Sequence, residues 1–252
     1  MVICRSLLSR LARFSFLLLL AMQGQANAEI LVTGPEMIAE GGRLYDKWWE
    51  EYDLRKPTST HPAYPLSGKQ RGATTWRCKE CHGWDYRGNA GAYAEGSHFT
   101  GIKGITAFAG RPLEDIVSVL KDQRHGYDAV MLEYGLLRIA AFVSEGQVPM
   151  SNYIDEVSKR SNGQPAAGRR SYRQNCQDCH GRDGRKRNFN DDDKPVYIGT
   201  EANGNPWETL HKIRNGQPGA FVMGSPMPHM LGKLDLQEQI DLLSYMQTLP
   251  EK

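Results

Sequence analysis

The chain has 252 residues, of which 40% are hydrophobic and 24% charged, with 31 Lys and Arg against 29 Asp and Glu. Three of the basic residues, Arg5, Arg10 and Arg13, lie in an apolar leader that carries no acid, so the rest of the chain holds 28 basic against 29 acidic groups. A balance this close to neutral excludes a nucleic-acid binder on charge grounds.

Residues 1–28 read as a secretory signal, because the arginines lead into "FSFLLLLAM" and "ANA" at 26–28 offers a small-residue cleavage site that would leave Glu29 first. The apolar core from Leu11 to Met22 is shorter than the roughly 20 residues of a membrane-spanning helix, so no stable membrane insertion is expected. Next, "EMIAEGGRLYDKWWEEYD" at 36–53 predicts a helix, and the Pro-, Gly-, Ser- and Thr-rich insert at 54–76 reads as a loop. That insert is either a surface excursion or a cover or docking loop over the site that follows it.

The stretch "WRCKECHGWDYRG" spans 76–88, and a second copy, "NCQDCHGRDGRKRN", spans 175–188. A Cys-x-x-Cys pair can be half a zinc site, a redox dithiol or a covalent haem attachment point, and only the last needs a histidine directly after the second cysteine. The two pairs begin 98 residues apart, each with its own histidine, which is a long gap for one zinc cluster. No βαβ pattern accompanies either pair, as a thioredoxin-like dithiol would require. The reading is two covalently attached haem c groups, held as thioethers by Cys78 and Cys81 and by Cys176 and Cys179, with His82 and His180 as proximal iron ligands. Cys4 lies in the leader, so no thiol is left for a disulfide or a distal ligand. Such attachment occurs outside the bacterial cytoplasmic membrane, which together with the leader makes the periplasm the expected location.

The halves match beyond the cysteines. "RPLEDIVSVLKDQRHG" at 111–126 lies on "NPWETLHKIRNGQPG" at 205–219, with Pro112 on Pro206, Glu114 on Glu208 and Ile116 on Leu210. Each predicts a short helix opened by proline at its first position. Two apolar-periodic runs close the halves: 132–143, with Leu137, Ala140, Ala141 and Ser144 on one face, and 234–249, with Leu236, Ile240, Leu243 and Met246. Ahead of Cys176, "AAGRRSYRQN" predicts a helix with Gly168 and Tyr172 at helical spacing. Helix, haem motif, helix, distal loop, helix, given twice, resembles a two-domain dihaem class I cytochrome c. The resemblance implies an all-α fold of two tandem class I cytochrome c domains, each a few helices wrapped around its haem. Domain 1 would span 29–157 with the insert at 54–76, a linker 158–167, and domain 2 168–252.

In that family a distal methionine typically precedes a proline ahead of the last helix, and "PMPH" matches with Met227; Met223 and Met230 then fill the core. The first half has no Met-Pro there. Met227 lies 18 residues before Tyr245 and His125 lies 17 before Phe142, so register favours His125, with Met131 as runner-up although it aligns with the packing residue Leu234. His98 falls on the loop after the haem motif, and His61, in the insert, is expected to be exposed. Bis-histidine ligation at haem 1 and His/Met at haem 2 would make haem 1 the lower in potential.

Arg169, Arg170 and Arg173, then Arg182, Arg185, Lys186 and Arg187, crowd the second motif before Asp191, Asp192 and Asp193. They read as a solvated, locally paired loop or as a basic rim that steers an acidic redox partner. The leading function is a periplasmic electron carrier passing single electrons from a respiratory or dehydrogenase donor to an oxidase or reductase. The alternatives are a catalytic dihaem oxidoreductase, thiosulfate dehydrogenase-like or peroxidase-like, and an electron-transfer subunit of a larger complex. The thiosulfate enzymes would call for a distal cysteine, which the chain cannot supply.

Overall fold

Proline at the first helical position starts helix α1, Pro35–Glu51, because a residue without an amide proton loses nothing there. The computed structural model describes residues 33–190, 194–219 and 227–252. The predicted leader, Met223 and Asp191 to Asp193 lie outside the described residues. Helices α2 (Cys78–His82), α3 (Leu113–Leu120) and α4 (Glu133–Ala141) complete the N-terminal half, the last running into a wide turn at Phe142–Gly146. The C-terminal half holds α5 (Pro165–Asn175), α6 (Gln177–His180), α7 (Ile198–Gly204), α8 (Pro206–Asn215) and α9 (Leu236–Met246). Among the described residues there is no strand, only isolated bridges such as Gly88 with Lys103. The fold is all-α.

Each half is built on one helix crossing made possible by a glycine. A Cβ on Gly41 would stand 1.9 Å from the Arg138 carbonyl oxygen, and one on Gly168 would stand 1.9 Å from that of Asp241. Backbones can meet that closely only where no side chain intervenes. Four residues on, one turn along the same face, Tyr45 packs on Phe142 and Tyr172 on Tyr245, both at a centroid distance of 5.2 Å.

Two sequence expectations are corrected. Pro112 does not open α3 from within but sits just ahead of it in extended backbone, whereas Pro206 does stand at the start of α8. Leu137 is only half-buried, whereas Leu136 and Ile139 join Ala140 and Ala141 as fully buried residues of α4, because its inner side faces both α1 and the cavity described below. Pro165 starts α5, and the residues ahead of it are bonded to the C-terminal half: Ser161 donates its amide to Gln247 Oε1 at 3.0 Å and Arg160 reaches Asn203 Oδ1 at 2.8 Å.

Polar groups lock the halves together. Fully buried Asp46 on α1 accepts from Arg77, just ahead of Cys78, and from Lys212 on α8. Burial alone would raise its carboxyl, but Lys212 and then Arg77 overcome this and hold it well below the usual carboxylate range. Nearby, His211 donates from Nε2 to the Gly42 carbonyl at 2.9 Å, so its Nδ1 accepts from the Tyr86 hydroxyl, also at 2.9 Å. Both groups are fully buried.

Burial pushes His211 down to about 3 from an ordinary value of 6.5. Below pH 6.5 the unfolded chain therefore takes up a proton that the folded chain refuses, and stability falls towards pH 3 with a slope of about 1.4 kcal/mol per pH unit. Between pH 6.5 and 5 the native protein should lose about 2 kcal/mol more than His211→Gln, which cannot titrate. Urea midpoints at the two pH values check this; parallel losses would remove His211 as the source.

Candidate functional site

Both Cys-x-x-Cys-His motifs sit in the same backbone frame. The glycine after each histidine has φ of +80° at Gly83 and +83° at Gly181, a region L side chains rarely adopt. Each of these glycines accepts a tyrosine hydroxyl from its own crossing helix: Tyr45 to the Gly83 carbonyl at 2.7 Å and Tyr172 to that of Gly181 at 2.8 Å. Six residues beyond each histidine an amide returns to it, Gly88 to the His82 carbonyl at 2.8 Å and Lys186 to that of His180 at 3.0 Å. Asp85 and Asp183 both accept the amide two residues on, each at 3.2 Å. No spacing argument requires the last three of these matches.

In the N-terminal half this frame opens onto a cavity of about 1230 Å³, lined among others by Cys78, Cys81, His82, His125, Ile139 and Val143. Burial pushes the thiols up to about 11 at Cys78 and about 12 at Cys81. His82 Nδ1 donates to the Lys103 carbonyl at 2.7 Å, which leaves the lone pair on Nε2, the form that binds a metal. His125 is arranged alike: Nδ1 donates to Asp122 Oδ1 at 3.0 Å. The two rings lie 22° from parallel with centroids 6.4 Å apart. That is too wide for ring contact.

The other candidates fall elsewhere. Met131 is buried in the core, where its sulfur would stand 2.5 Å from a Cβ on Gly135, and it does not line the cavity. His98 donates to Glu80 at 2.6 Å and stacks on Tyr93 at 4.7 Å, away from the cavity wall. The expectation of an exposed His61 is wrong: it is only 7% exposed, and with Pro62 and Ala63 it lines the cavity. The insert folds inward because His61 packs edge-on against Trp76 at 4.4 Å. Composition could not show this, since it depends on what the loop lies against.

In the C-terminal half, α6 carries Cys179 exposed and His180 half-buried, with Cys176 half-buried at its start. His180 Nδ1 is buried without a partner among the described residues, and burial lowers His180 to about 4. Met227 is half-buried beyond the undescribed segment 220–226, and its carbonyl accepts the Gln217 amide at 3.3 Å. Met230 is core, as expected, while His229 donates to Glu36 at 2.6 Å and so ties this loop to α1. Arg182, Arg185, Lys186 and Arg187 are exposed; Arg185 pairs with Asp183 and Lys186 donates to the Asp178 carbonyl.

Comparison with family models finds one match, described as Cytochrome c, over residues 165–250. These residues form a cytochrome c domain. Comparisons with curated proteins and with solved structures returned no match. The cytochrome c domain implies covalently bound haem c with its iron, and its residues fit that group. Cys176 stands at the start of one helical turn that carries Cys179 and His180, so both thiols and the imidazole sit on one short segment. When bound, haem supplies an iron that gains and loses single electrons. The cytochrome c domain contributes the two thiols, the imidazole and, through the Tyr172 bond to Gly181, a fixed backbone beneath them.

Proposed function

We propose that the chain is a dihaem c-type cytochrome, exported to the periplasm, that carries single electrons between redox partners. The observation that carries this reading is the shared frame: four equivalent features surround both motifs, although the family match covers only the second. In this reading Cys78 and Cys81 would hold a second haem c in the cavity, and His82 and His125 would ligate its iron. The two rings stand 6.4 Å apart between centroids, and in each Nδ1 donates to the protein, leaving Nε2 as the nitrogen that could bind a metal. Met227 would complete His180 in the cytochrome c domain, leaving the first haem at the lower potential.

Ligation on both faces suits a carrier, because a filled iron transfers electrons without rearranging its ligands. The exposed Arg182, Arg185, Lys186 and Arg187 favour an acidic partner docking beside the second haem.

The test is haem stoichiometry with ligand spectroscopy. The pyridine haemochrome of the mature protein should give two haems per chain, and the double variant Cys78→Ser, Cys81→Ser one. Near-infrared magnetic circular dichroism of the oxidised protein should show one bis-histidine and one histidine–methionine band, the first lost in His125→Ala with appearance of a high-spin signal. One haem per native chain would defeat the proposal. A high-spin component in the native protein would move the reading from carrier to enzyme.

A further inference from the structure

Within the insert at 54–76, His61 makes a polar contact with the segment that carries His125. His61 Nδ1 accepts the Ala63 amide at 3.1 Å, which places the ring proton on Nε2, and Nε2 donates to the backbone carbonyl of His125 at 3.1 Å. The donor is itself held from several sides. Its amide donates to Thr75 Oγ1 at 2.8 Å, the Thr75 hydroxyl donates to the Gly72 carbonyl at 2.6 Å, and the Gly72 amide returns to Thr60 Oγ1 at 2.9 Å. Trp76 closes the ring of contacts by donating its indole N–H to the Ser59 carbonyl at 2.8 Å.

The other hold on His125 is weaker. Asp122 binds its ring and amide from the surface, with a carboxylate side chain 45% exposed, where water and salt compete. The bond from His61 is made by a buried group, and a buried donor that lost its acceptor would stay unsatisfied.

We infer that His61 is a positioning residue for His125: residues 54–76 form a strap across the cavity whose buried imidazole fixes the backbone from which the distal histidine faces His82. This inference rests on the proposed bis-histidine ligation. His61 touches neither iron nor thiols; it acts by restricting how far the loop carrying His125 can swing away.

The test uses the full haem-loaded protein and potassium cyanide, which can occupy the iron only when a native distal ligand leaves. His61→Phe keeps ring volume and loses the donor; His61→Gln places an amide N–H where Nε2 stood. His61→Phe should bind cyanide about tenfold faster at the first haem, the ratio expected from losing one hydrogen bond of ordinary net strength, while His61→Gln stays within about twofold of native. Thr75→Val, which removes the hydroxyl holding the His61 amide, should move in the same direction by less. A native rate in His61→Phe, or a His61→Gln rate equal to that of His61→Phe, overturns the role. Should His61→Phe fail to mature, a native rate in Thr75→Val overturns it instead. The native spectrum, read first, separates the two levels: without a bis-histidine band the ligation itself is wrong, whereas a bis-histidine band with unaltered variant kinetics sinks only His61.

Discussion

Gly168→Ala is expected to destabilise the cytochrome c domain by about 3 kcal/mol or more, the upper end of overpacking costs. The added methyl would meet the Asp241 carbonyl oxygen at 1.9 Å and the Leu242 amide nitrogen at 2.8 Å. Both are backbone atoms of α9, so no rotamer change relieves the clash and the helices must separate. Separation also pulls Tyr172 from Tyr245, and with it the hydroxyl that holds the Gly181 carbonyl behind the haem motif. In a chain of this size the loss corresponds to a fall in melting temperature of about 10 °C. Gly204→Ala is the matched control, since a Cβ there meets nothing within 4 Å, and at a helix end it should change stability by less than about 1 kcal/mol. Equal melting of Gly168→Ala and the native protein would show that this crossing does not hold the half together.

Asp46→Ala should cost about 3 kcal/mol or more, the penalty for removing one partner of a buried charge cluster. The loss arises from what stays behind: Arg77 and Lys212, mostly buried, would face each other without the carboxylate between them. Asp46→Asn separates charge from volume and should recover only part of the loss. The sign with pH is fixed. A carboxyl held below its ordinary value of 3.8 stabilises the fold fully above that value, and the contribution fades as pH falls through the folded value. Native and Asp46→Asn proteins should therefore differ most near neutral pH and converge in strong acid. Because the cluster spans the halves, calorimetry should show one transition in the native protein and two in Asp46→Ala. A single unshifted transition would mean that the halves are held by other contacts.

The residues legible in the sequence were those whose chemistry forces them to be neighbours along the chain. Spacing alone places Cys78, Cys81 and His82 within one turn, and helix geometry ties Gly168 to Tyr172. The helix start at Pro206 is a backbone event with a local cause, although Pro112 shows that a proline can equally stop just short of the helix. His125 lines the cavity while Met131 lies in the core, and the hold on the His125 carbonyl comes from His61, 64 residues earlier. The one available hint was a histidine in a loop that runs straight into Trp76. His211 and Asp46 were missed for another reason: a single polar residue on an otherwise apolar face leaves the period unchanged, and its partners lie on other helices. An aspartate beside "KWW" in α1 was the visible anomaly.

Asp46 also bears on how the two halves can be exchanged. Superposing Gly41 on Gly168 puts Arg173 where Asp46 stands, and superposing Pro112 on Pro206 puts Val117 opposite His211. The seam is thus asymmetric: the first half presents the acid and Tyr86, the second the base and the imidazole, and neither half carries the other's set. A chimera that transplants either half as an interchangeable module would leave buried Asp46 with Arg77 but without Lys212, or a buried imidazole without its Tyr86 partner. Stable recombinants should therefore carry Asp46, Arg77, Tyr86, His211 and Lys212 across as one inherited group, which constrains the order of the halves as firmly as it constrains their sequences.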